Sequence, residues 1–386
     1  MSNSFINREL GQTLLEASSY FPVLCVTGPR QSGKSTLVNH LFPQYRQFSL
    51  EDLDVRAAAM SDPRGLLDQT SDGMIIDEVQ RVPELLSYIQ GIVDKQPNRR
   101  FVLSGSSNFA LLRSVTQSLA GRVGMFELLP MAFSEVRGMM ADLSLDEILF
   151  NGLYPAICSK KNVARFLYPS YIKTYLERDV RDLLQVRNLM QFNTFIRLCA
   201  GRIGSLFNAS DLAGEVGVDS KTITAWLSIL QASYIIFLLP PYFSNTRKRL
   251  VKSPKLYFCD TGLACYLLDI ESPQQLIRDK MRGPLFENFV VMEALKHRFN
   301  AGRESNLYFY RDSNKNEIDL LLLTQQKIDG YEIKFSATFH PDFTSKLVRM
   351  REFVSADIGQ RAVIYDGTLE NDHSEVQLHN WRNFLP

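Results

Sequence analysis

The segment GPRQSGKST, residues 28–36, holds the residue types best suited to bind a chain of phosphates. It fits the pattern G-x-x-x-x-G-K-[ST]; a β-branched apolar run precedes it and helical spacing of apolar residues follows it. Glycines let backbone N–H groups surround a phosphate, and the start of a helix attracts anions. We expect Lys34 to contact the β- and γ-phosphates of ATP and Ser35 to ligate Mg²⁺, whereas the alternative is a chance glycine-rich turn. The expected ATP ligands are Gly28, Pro29, Arg30, Gln31, Ser32, Gly33, Lys34, Ser35 and Thr36.

A pair of acids follows a second short apolar run, residues 74–76. We expect Asp77 to hold Mg²⁺ through water, and Glu78 to orient and activate the water that attacks the γ-phosphate. The alternative is a solvated acidic pair that begins a helix, because carboxylates also suit a helix N-terminus.

A third predicted strand, within residues 99–112, ends in small polar residues. Ser104, Ser106 or Asn108 could reach the γ-phosphate as a polar sensor. Spacing does not decide among the three, and Asn108 is retained as the candidate catalytic residue.

Arg122 lies directly before a fourth predicted strand, residues 123–128. It is a candidate arginine finger, acting in cis or on a neighbouring subunit, in which case the protein is a homo-oligomer. Arg113 is the rival candidate. The alternative for Arg122 is a salt-bridged surface arginine.

Composition narrows the class of protein. The chain has 386 residues, of which 45% are hydrophobic and 22% charged, with a net charge of +1. Length predicts about two to three domains, and the near-neutral charge excludes a global field that attracts nucleic acid or membrane. Five scattered cysteines without C-x-x-C, and five histidines without a ligand cluster, argue against structural zinc and indicate reduced thiols. Neither a signal peptide nor a membrane-spanning run is recognised, so we expect a cytoplasmic protein without a membrane partner.

The middle of the chain has helical patterns from residue 141 to about residue 200, and residues 208–259 predict a winged helix-turn-helix. The outward face of its second helix carries Ser220, Lys221, Thr224 and Ser228, and the following segment, 244–255, is basic and free of acids. We expect DNA phosphates to be bound there, although winged helices also dock proteins. The candidate DNA ligands are Lys221, Arg247, Lys248, Arg249 and Lys252, and Lys255 is a fifth basic residue of the wing segment.

A second set of acids lies in the last hundred residues. Glu287 is near the start of a predicted helix, Glu317 and Asp319 lie on a strand, and Glu332 and Lys334 lie on the next strand. A simple hairpin with its turn at residues 325–326 sets Asp319 beside Glu332. Two adjacent carboxylates favour a cation between them, so we expect Mg²⁺ or Mn²⁺ bound by Asp319, Glu332 and Glu287. Lys334 would orient water or stabilise a developing phosphate charge. The alternative is a polar hairpin face with a solvated Glu–Lys pair.

These residues resemble a prokaryotic family of ATP-binding proteins that joins an AAA-type ATPase domain to a C-terminal domain of unknown function. The resemblance rests on GPRQSGKST, IIDEVQ, SGSSN…SLAGR, LEDLDVRAAAMSDPRGLL, YLERDV, RKRLVKSPKLYFCDTGL, GPLFENFVVMEAL and YEIKFS, and it covers nearly the whole chain. It implies an AAA+ core with strand order 5-1-4-3-2 and a helical lid. It also implies similarity of the C-terminal part to the PD-(D/E)XK nuclease superfamily, in which Asp319 and Glu332-x-Lys334 match the D…E-x-K core and Glu287 the helix acid.

The expected fold class is therefore α/β: a P-loop AAA+ parallel sheet with a helical lid, a winged helix-turn-helix and a C-terminal α/β restriction-endonuclease-like domain. The predicted domains are 1–140 for the ATPase, 141–205 for the helical lid, 206–262 for the winged helix and 263–386 for the nuclease-like domain. The expected function is Mg-ATP hydrolysis that positions the last two domains on DNA, bound non-specifically or by structure, with metal-dependent phosphodiester cleavage. The alternative is an ATP-dependent switch that binds a protein partner and uses the nuclease-like fold as a non-cutting scaffold. A sequence-specific transcription regulator is a weaker third hypothesis, since the outward face of 219–230 lacks arginine.

Overall fold

A computed structural model of the chain describes residues 5–106, 118–160, 163–176, 189–242, 252–314, 316–324, 327–354, 356–372 and 374–384. Asn108, Arg113, Arg247, Lys248 and Arg249 lie outside these ranges, and their roles stay predictions. The chain divides into two compact units. The first unit comprises Met1–Met131, Ala232–Tyr234 and Phe299–Arg303, and the second comprises Ala132–Gln231, Ile235–Arg298 and Glu304–Pro386.

The first unit alternates strands with helices. Its elements are α1 Leu10–Tyr20, β1 Val23–Gly28, α2 Lys34–Leu41, β2 Arg46–Ser49, α3 Leu53–Ser61, α4 Pro63–Leu67, β3 Gly73–Asp77, a 3₁₀ turn Val79–Arg81, α5 Leu85–Lys95, β4 Arg100–Ser106 and β5 Val123–Glu127. Within the described residues, five parallel strands form one sheet in the order β2-β3-β4-β1-β5. Read from the other edge, this is the order that the resemblance implied. Apolar clusters cover both faces, which is why β1 and β4 consist almost wholly of buried residues.

Strand β2 is the element of this sheet that no residue pattern predicted. Its sequence, RQFS, has a single apolar side chain, Phe48, that is buried. An edge strand pairs on one side only, so it needs little apolar surface and leaves a weak pattern.

The second unit begins with helices and ends in a mixed sheet. Its elements are α6 Phe133–Val136, α7 Leu145–Asn151, α8 Pro155–Ser159, α9 Ala164–Tyr171, a π turn Ile172–Leu176, α10 Leu189–Ala200, α11 Ala209–Val216, α12 Ser220–Ala232, β6 Ile236–Leu239, β7 Lys255–Phe258, α13 Thr261–Leu267, α14 Pro273–Leu276, α15 Arg282–Asn300, β8 Leu307–Arg311, β9 Glu317–Thr324, β10 Lys327–Lys334, α16 Ser345–Val348, β11 Asp357–Tyr365 and β12 Gln377–Asn380. Short 3₁₀ turns at Pro341–Thr344, Met350–Glu352 and Trp381–Asn383 complete the described part.

Helices α11 and α12 and the β6–β7 pair follow the order helix, turn, helix, two-stranded sheet. The Asn208 side chain caps α11 by accepting hydrogen bonds from the N–H groups of Ser210 and Asp211, at 3.0 and 3.4 Å. Gly217 has φ = +76°, a left-handed conformation that ends α11. The order is the one expected of a winged helix, and that name stays a prediction.

The mixed sheet has the order β12-β11-β10-β9-β8 among the residues described. Strands β8, β9 and β10 are antiparallel neighbours, whereas β10, β11 and β12 run parallel. The register Thr324↔Lys327 to Leu320↔Tyr331 is the one predicted for a turn at residues 325–326. Residues Asp319 and Glu332 are the next positions in this register.

Candidate functional site

The phosphate-binding segment lies between the end of β1 and the start of α2, as its sequence predicts. Gly28 has φ = +149°, and a Cβ there would lie 2.1 Å from the carbonyl oxygen of Leu128. Gly33 precedes α2 with φ = +92°. Both positions therefore require glycine, the first because the backbone approaches a neighbouring segment closely.

Lys34 is buried, and its ammonium group donates to the carbonyl oxygens of Gly28 and Pro29 at 2.9 and 2.8 Å. Burial lowers the pKa of Lys34 to about 8, with the nearby carboxylates of Glu78 and Asp77 acting in the opposite direction. In this state the segment satisfies its own lysine, so a bound phosphate must replace the two carbonyl contacts.

Asp77 lies at the end of β3, where the sheet brings three polar side chains together. Its Oδ2 accepts a hydrogen bond from Ser35 Oγ at 2.7 Å, and its Oδ1 accepts one from Ser104 Oγ at 2.5 Å. The strand register places Ser104 directly opposite Asp77. Hydroxyl and carboxylate oxygens are the ligands that Mg²⁺ prefers, so Ser35 and Asp77 fit the predicted magnesium site.

Two polar side chains, those of Gln80 and Ser106, hold the carboxylate of Glu78. Its Oε2 accepts hydrogen bonds from Gln80 Nε2 and from Ser106 Oγ, the latter at 3.4 Å, and Gln80 Nε2 also reaches Ser106 Oγ at 3.0 Å. Glu78 has φ = +56°, an uncommon conformation for a residue with a Cβ. Gln80 was missed at the sequence level, although it belongs to the quoted block IIDEVQ.

The remaining predicted ATP ligands surround the same segment. Ser32 is buried, and among the described residues its hydroxyl has no hydrogen-bond partner. Arg8, a second residue missed at the sequence level, donates to the carbonyl oxygens of Ser32 and Leu129, both at 2.9 Å. Pro29 is buried, Arg30 half-buried, and Gln31 and Thr36 exposed.

Arg122 does not lie near the phosphate-binding segment of its own chain. It directly precedes β5, whose first residue pairs with Val23 at the start of β1, and so it is roughly 16 Å from the end of that strand. Its guanidinium binds both carboxylate oxygens of Asp94, at 2.5 and 3.0 Å. This geometry corrects the in cis role expected for Arg122 and agrees with the alternative of a salt-bridged surface arginine. A role on a neighbouring subunit stays a prediction.

In the second unit, Asp319 and Glu332 lie side by side and share Lys334. The Lys334 ammonium group is 3.1 Å from Asp319 Oδ2 and 2.5 Å from Glu332 Oε2, and the N–H of Ile333 donates to Asp319 Oδ2 at 2.9 Å. Burial, reinforced by Asp319, raises the pKa of Glu332 to about 7. Burial also opposes ionisation of Asp319, but Lys334 and Lys255 hold the pKa of Asp319 below its usual range.

Glu287, the predicted helix acid, has a lysine as its partner. Its Oε1 accepts hydrogen bonds from Lys255 Nζ at 3.0 Å and from Tyr257 Oη at 2.6 Å. Lys255 Nζ also lies 2.7 Å from Glu317 Oε1. Lys255 is 2% exposed, so the expectation that it is one of the basic residues of a phosphate-binding wing is wrong.

The second metal site therefore lacks support from the geometry. Across the described part of the chain, no group of three or more His, Cys, Asp or Glu side chains is arranged to hold a metal ion. The predicted DNA ligands Lys221 and Lys252 are exposed, and Lys221 lines a groove on α12 with Ser220, Thr224 and Ser228. No helix in the described ranges is both long enough and apolar enough to cross a membrane.

Comparisons with known proteins match the chain in three consecutive parts. The family model described as an AAA domain matches residues 20–137. Two models described as domains of unknown function, DUF8612 and DUF4143, match residues 142–274 and 282–383. The N-terminal part is therefore an AAA domain, with the P-loop described above.

Two relatives match most of the chain. The chain is 31% identical over 365 residues to the uncharacterized protein Rv2008c of Mycobacterium tuberculosis, covering 93% of this chain and 80% of the relative. It is 23% identical over 355 residues to the uncharacterized protein MJ1544 of Methanocaldococcus jannaschii, covering 83% and 76%. Among solved structures, the Walker-type ATPase PABY2304 of Pyrococcus abyssi is similar with a TM-score of 0.48 and 14% identity, over 69% of this chain and 97% of that one.

Proposed function

Because the chain belongs to the family of the mycobacterial protein Rv2008c and carries an AAA domain, we propose that it binds Mg-ATP and hydrolyses it. The observation that supports this most is the contact of Ser35 and Ser104 with the two oxygens of Asp77, directly beside Lys34 and Glu78. It supports the proposal because a candidate phosphate ligand, two candidate magnesium ligands and a candidate base lie at the same end of the parallel sheet.

Each of the chain's own residues would have a separate role in ATP hydrolysis. Lys34 leaves the carbonyls of Gly28 and Pro29 and donates to phosphate oxygens instead. Glu78, held by its hydrogen bonds, orients the attacking water and takes its proton. Ser35 and Asp77 would hold Mg²⁺, which when bound supplies positive charge to the β- and γ-phosphate oxygens.

The test is turnover of ATP by the wild type, Lys34→Ala and Glu78→Gln, with nucleotide binding measured in parallel. We expect Lys34→Ala to lose binding, and Glu78→Gln to retain binding while turnover falls at least 100-fold. Wild-type protein that is folded but has no affinity for Mg-ATP would refute the proposal. Repeating the assay with single- and double-stranded DNA shows whether DNA stimulates turnover.

ATP hydrolysis would control a further event, and two candidates for that event are considered. The candidate that we place first is a switch, in which the nucleotide state controls the binding of a protein partner. Its support is that the carboxylates of the second unit are already paired with lysines, as a structural scaffold would be. It predicts that Lys34→Ala abolishes partner binding and that Glu332→Ala spares it. Loss of cellular function through Glu332→Ala alone, with the protein still folded, contradicts the switch.

The second candidate output is metal-dependent cleavage of DNA, favoured by the juxtaposition of Asp319, Glu332 and Lys334. The proposed DNA contacts are Lys221, Arg247, Lys248, Arg249 and Lys252. Nicked and branched DNA, supplied with ATP and Mg²⁺ or Mn²⁺, should be cut by the wild type and left intact by Lys334→Ala, which should still hydrolyse ATP. Intact DNA under every one of these conditions excludes cleavage.

A further inference from the structure

The acidic cluster of the second unit contains a buried cation supplied by a distant part of the chain. We use the name acidic cluster for Glu287 on α15, Glu317 and Asp319 on β9, and Glu332 on β10. Lys255, the first residue of β7, reaches two of these carboxylates at 3.0 and 2.7 Å. A lysine with 2% exposure is rare unless its charge is balanced, so the contacts with Glu287 and Glu317 explain how it is tolerated.

The charges of the cluster are nearly balanced without any ion from solution. Four carboxylates face three cationic side chains. The first is Lys255, the second is Lys334, which bridges Asp319 and Glu332, and the third is Arg311, which lies 3.5 Å from Glu317. The hydroxyl of Tyr257 and the N–H of Ile333 add hydrogen bonds to two of the carboxylates. A divalent cation would leave this set with an excess of positive charge.

The oxygen atoms available to a metal are correspondingly few. Glu332 Oε1 is a buried carboxylate oxygen that has no hydrogen-bond partner among the described residues. Mg²⁺ keeps several waters and needs only a few carboxylate ligands, but each carboxylate of the cluster is already in contact with an ammonium group. The donor set therefore does not fit the second metal that the D…E-x-K pattern implied.

We propose that Lys255 is the resident cation of the acidic cluster beside Glu287 and Glu317 and that, together with Lys334 beside Asp319 and Glu332, it takes the place of a divalent metal ion. Its ammonium group links β7 to α15 and β9, so the carboxylates stabilise the second unit and take no part in phosphodiester chemistry. This inference is independent of ATP hydrolysis and weighs against the DNA-cleavage candidate.

Mn²⁺ binding tests the proposal on the full-length chain. The Asp77→Asn variant removes the predicted P-loop metal ligand, and free Mn²⁺ is then measured by electron paramagnetic resonance without nucleotide. We expect no stoichiometric binding. One bound Mn²⁺ per chain, lost when Asp319→Asn is added, overturns the proposal whatever happens to any lysine variant.

Thermal unfolding in EDTA, followed by tryptophan fluorescence, tests the counter-ion role itself. Lys255→Met should lower the midpoint by roughly 10 °C, because it removes the cationic partner of Glu287 and leaves Glu317 with Arg311 alone. The exposed Lys252→Met is the matched control and should not shift the midpoint, and Lys255→Arg should retain most of the stability. Adding Glu287→Gln to Lys255→Met should recover part of the loss.

Failure of Lys255→Met to fold, with both control variants folded, also supports the proposal. A Lys255→Met protein that unfolds at the wild-type midpoint overturns it. A double variant less stable than Lys255→Met alone overturns it as well, since removing one carboxylate must relieve an unbalanced charge.

Discussion

At the scale of single residues, Gln80 is the side chain that holds the candidate base. It donates to Glu78 and to Ser106, and so joins the end of β3 to the end of β4. The left-handed backbone conformation of Glu78 is unfavourable by itself, so contacts with neighbouring residues must hold Glu78 in place. We therefore expect Gln80 to act as a positioning residue for Glu78.

We predict that Gln80→Leu lowers kcat for ATP roughly 10-fold and leaves the affinity for Mg-ADP unchanged. The loss follows because Glu78 is no longer held, whereas the phosphate ligands are untouched. Steady-state turnover with a separate measurement of Mg-ADP affinity checks it. The exposed Gln96→Leu in the same unit is the control, and equal losses in kcat and affinity would contradict the positioning role.

A second residue-scale prediction concerns the proton of Lys34. Its pKa of about 8 in the nucleotide-free protein lies below the ordinary lysine value, and a bound phosphate raises it again. At pH 7 the lysine is already charged and binding takes up little proton, whereas at pH 9 it is mostly neutral and binding takes up one. Calorimetry of Mg-ADP binding in buffers of different ionisation enthalpy measures this uptake.

The control is Lys34→Arg, whose guanidinium stays charged over this range. It should show no increase in proton uptake between pH 7 and pH 9. An uptake that is equal at the two pH values in the wild type would show that Lys34 does not titrate there.

At the scale of elements, the turn between β1 and α2 requires glycine at position 28, because the neighbouring backbone leaves no room for a Cβ. We predict that Gly28→Ala lowers the free energy of unfolding by roughly 1–3 kcal/mol and abolishes nucleotide binding, because the new Cβ collides with the Leu128 carbonyl oxygen. Chemical denaturation and a nucleotide-binding assay measure the two effects.

Gly91→Ala in α5 is the matched control. A Cβ at position 91 meets no atom within 4 Å, and alanine favours a helix over glycine by roughly 0.5–1 kcal/mol. This variant should be slightly more stable than the wild type and bind nucleotide normally. Similar behaviour of the two alanine variants would show that the close approach at Gly28 has no effect.

The elements also show which features a sequence can predict. The phosphate-binding turn and the β9–β10 register were predicted correctly because each depends on spacing within one short segment. Strand β2 was missed because it buries one apolar side chain. The expectation that Lys255 belongs to a phosphate-binding wing was wrong, because its partners Glu287 and Glu317 are remote in sequence and the neighbouring basic residues indicate an exposed segment. No spacing in the sequence distinguishes Gln80 from a glutamine on the protein surface, so its role could not be predicted.

At the scale of the whole molecule, both tryptophans report on the second unit. Trp226 packs against Phe192 and Phe195, with ring centroids 5.5 and 5.6 Å apart, and Trp381 packs against Phe133 and Phe289. The phosphate-binding segment belongs to the first unit, which has no tryptophan in its sequence. A change in tryptophan emission on adding nucleotide would therefore report a response of the other unit.

We predict that Mg-ATP changes the tryptophan emission of Glu78→Gln, which binds without turnover, and leaves that of Lys34→Ala unchanged. The physical reason is that a switch requires the nucleotide to favour one of two states of the second unit. Fluorescence titration measures the effect. Saturating Mg-ATP without any change in emission would contradict the proposed switch and leave the ATPase proposal standing.

The first unit is not one uninterrupted stretch of chain. The Tyr234 hydroxyl donates to Glu127 and lies 2.9 Å from the Thr27 hydroxyl, next to Gly28, and the carbonyl oxygen of Asn300 accepts from Thr13. A fragment that stops at Met131 would lack these contacts, although it holds every strand of the parallel sheet. Transplanting residues 1–131 alone into another protein would thus deliver an incomplete nucleotide-binding core.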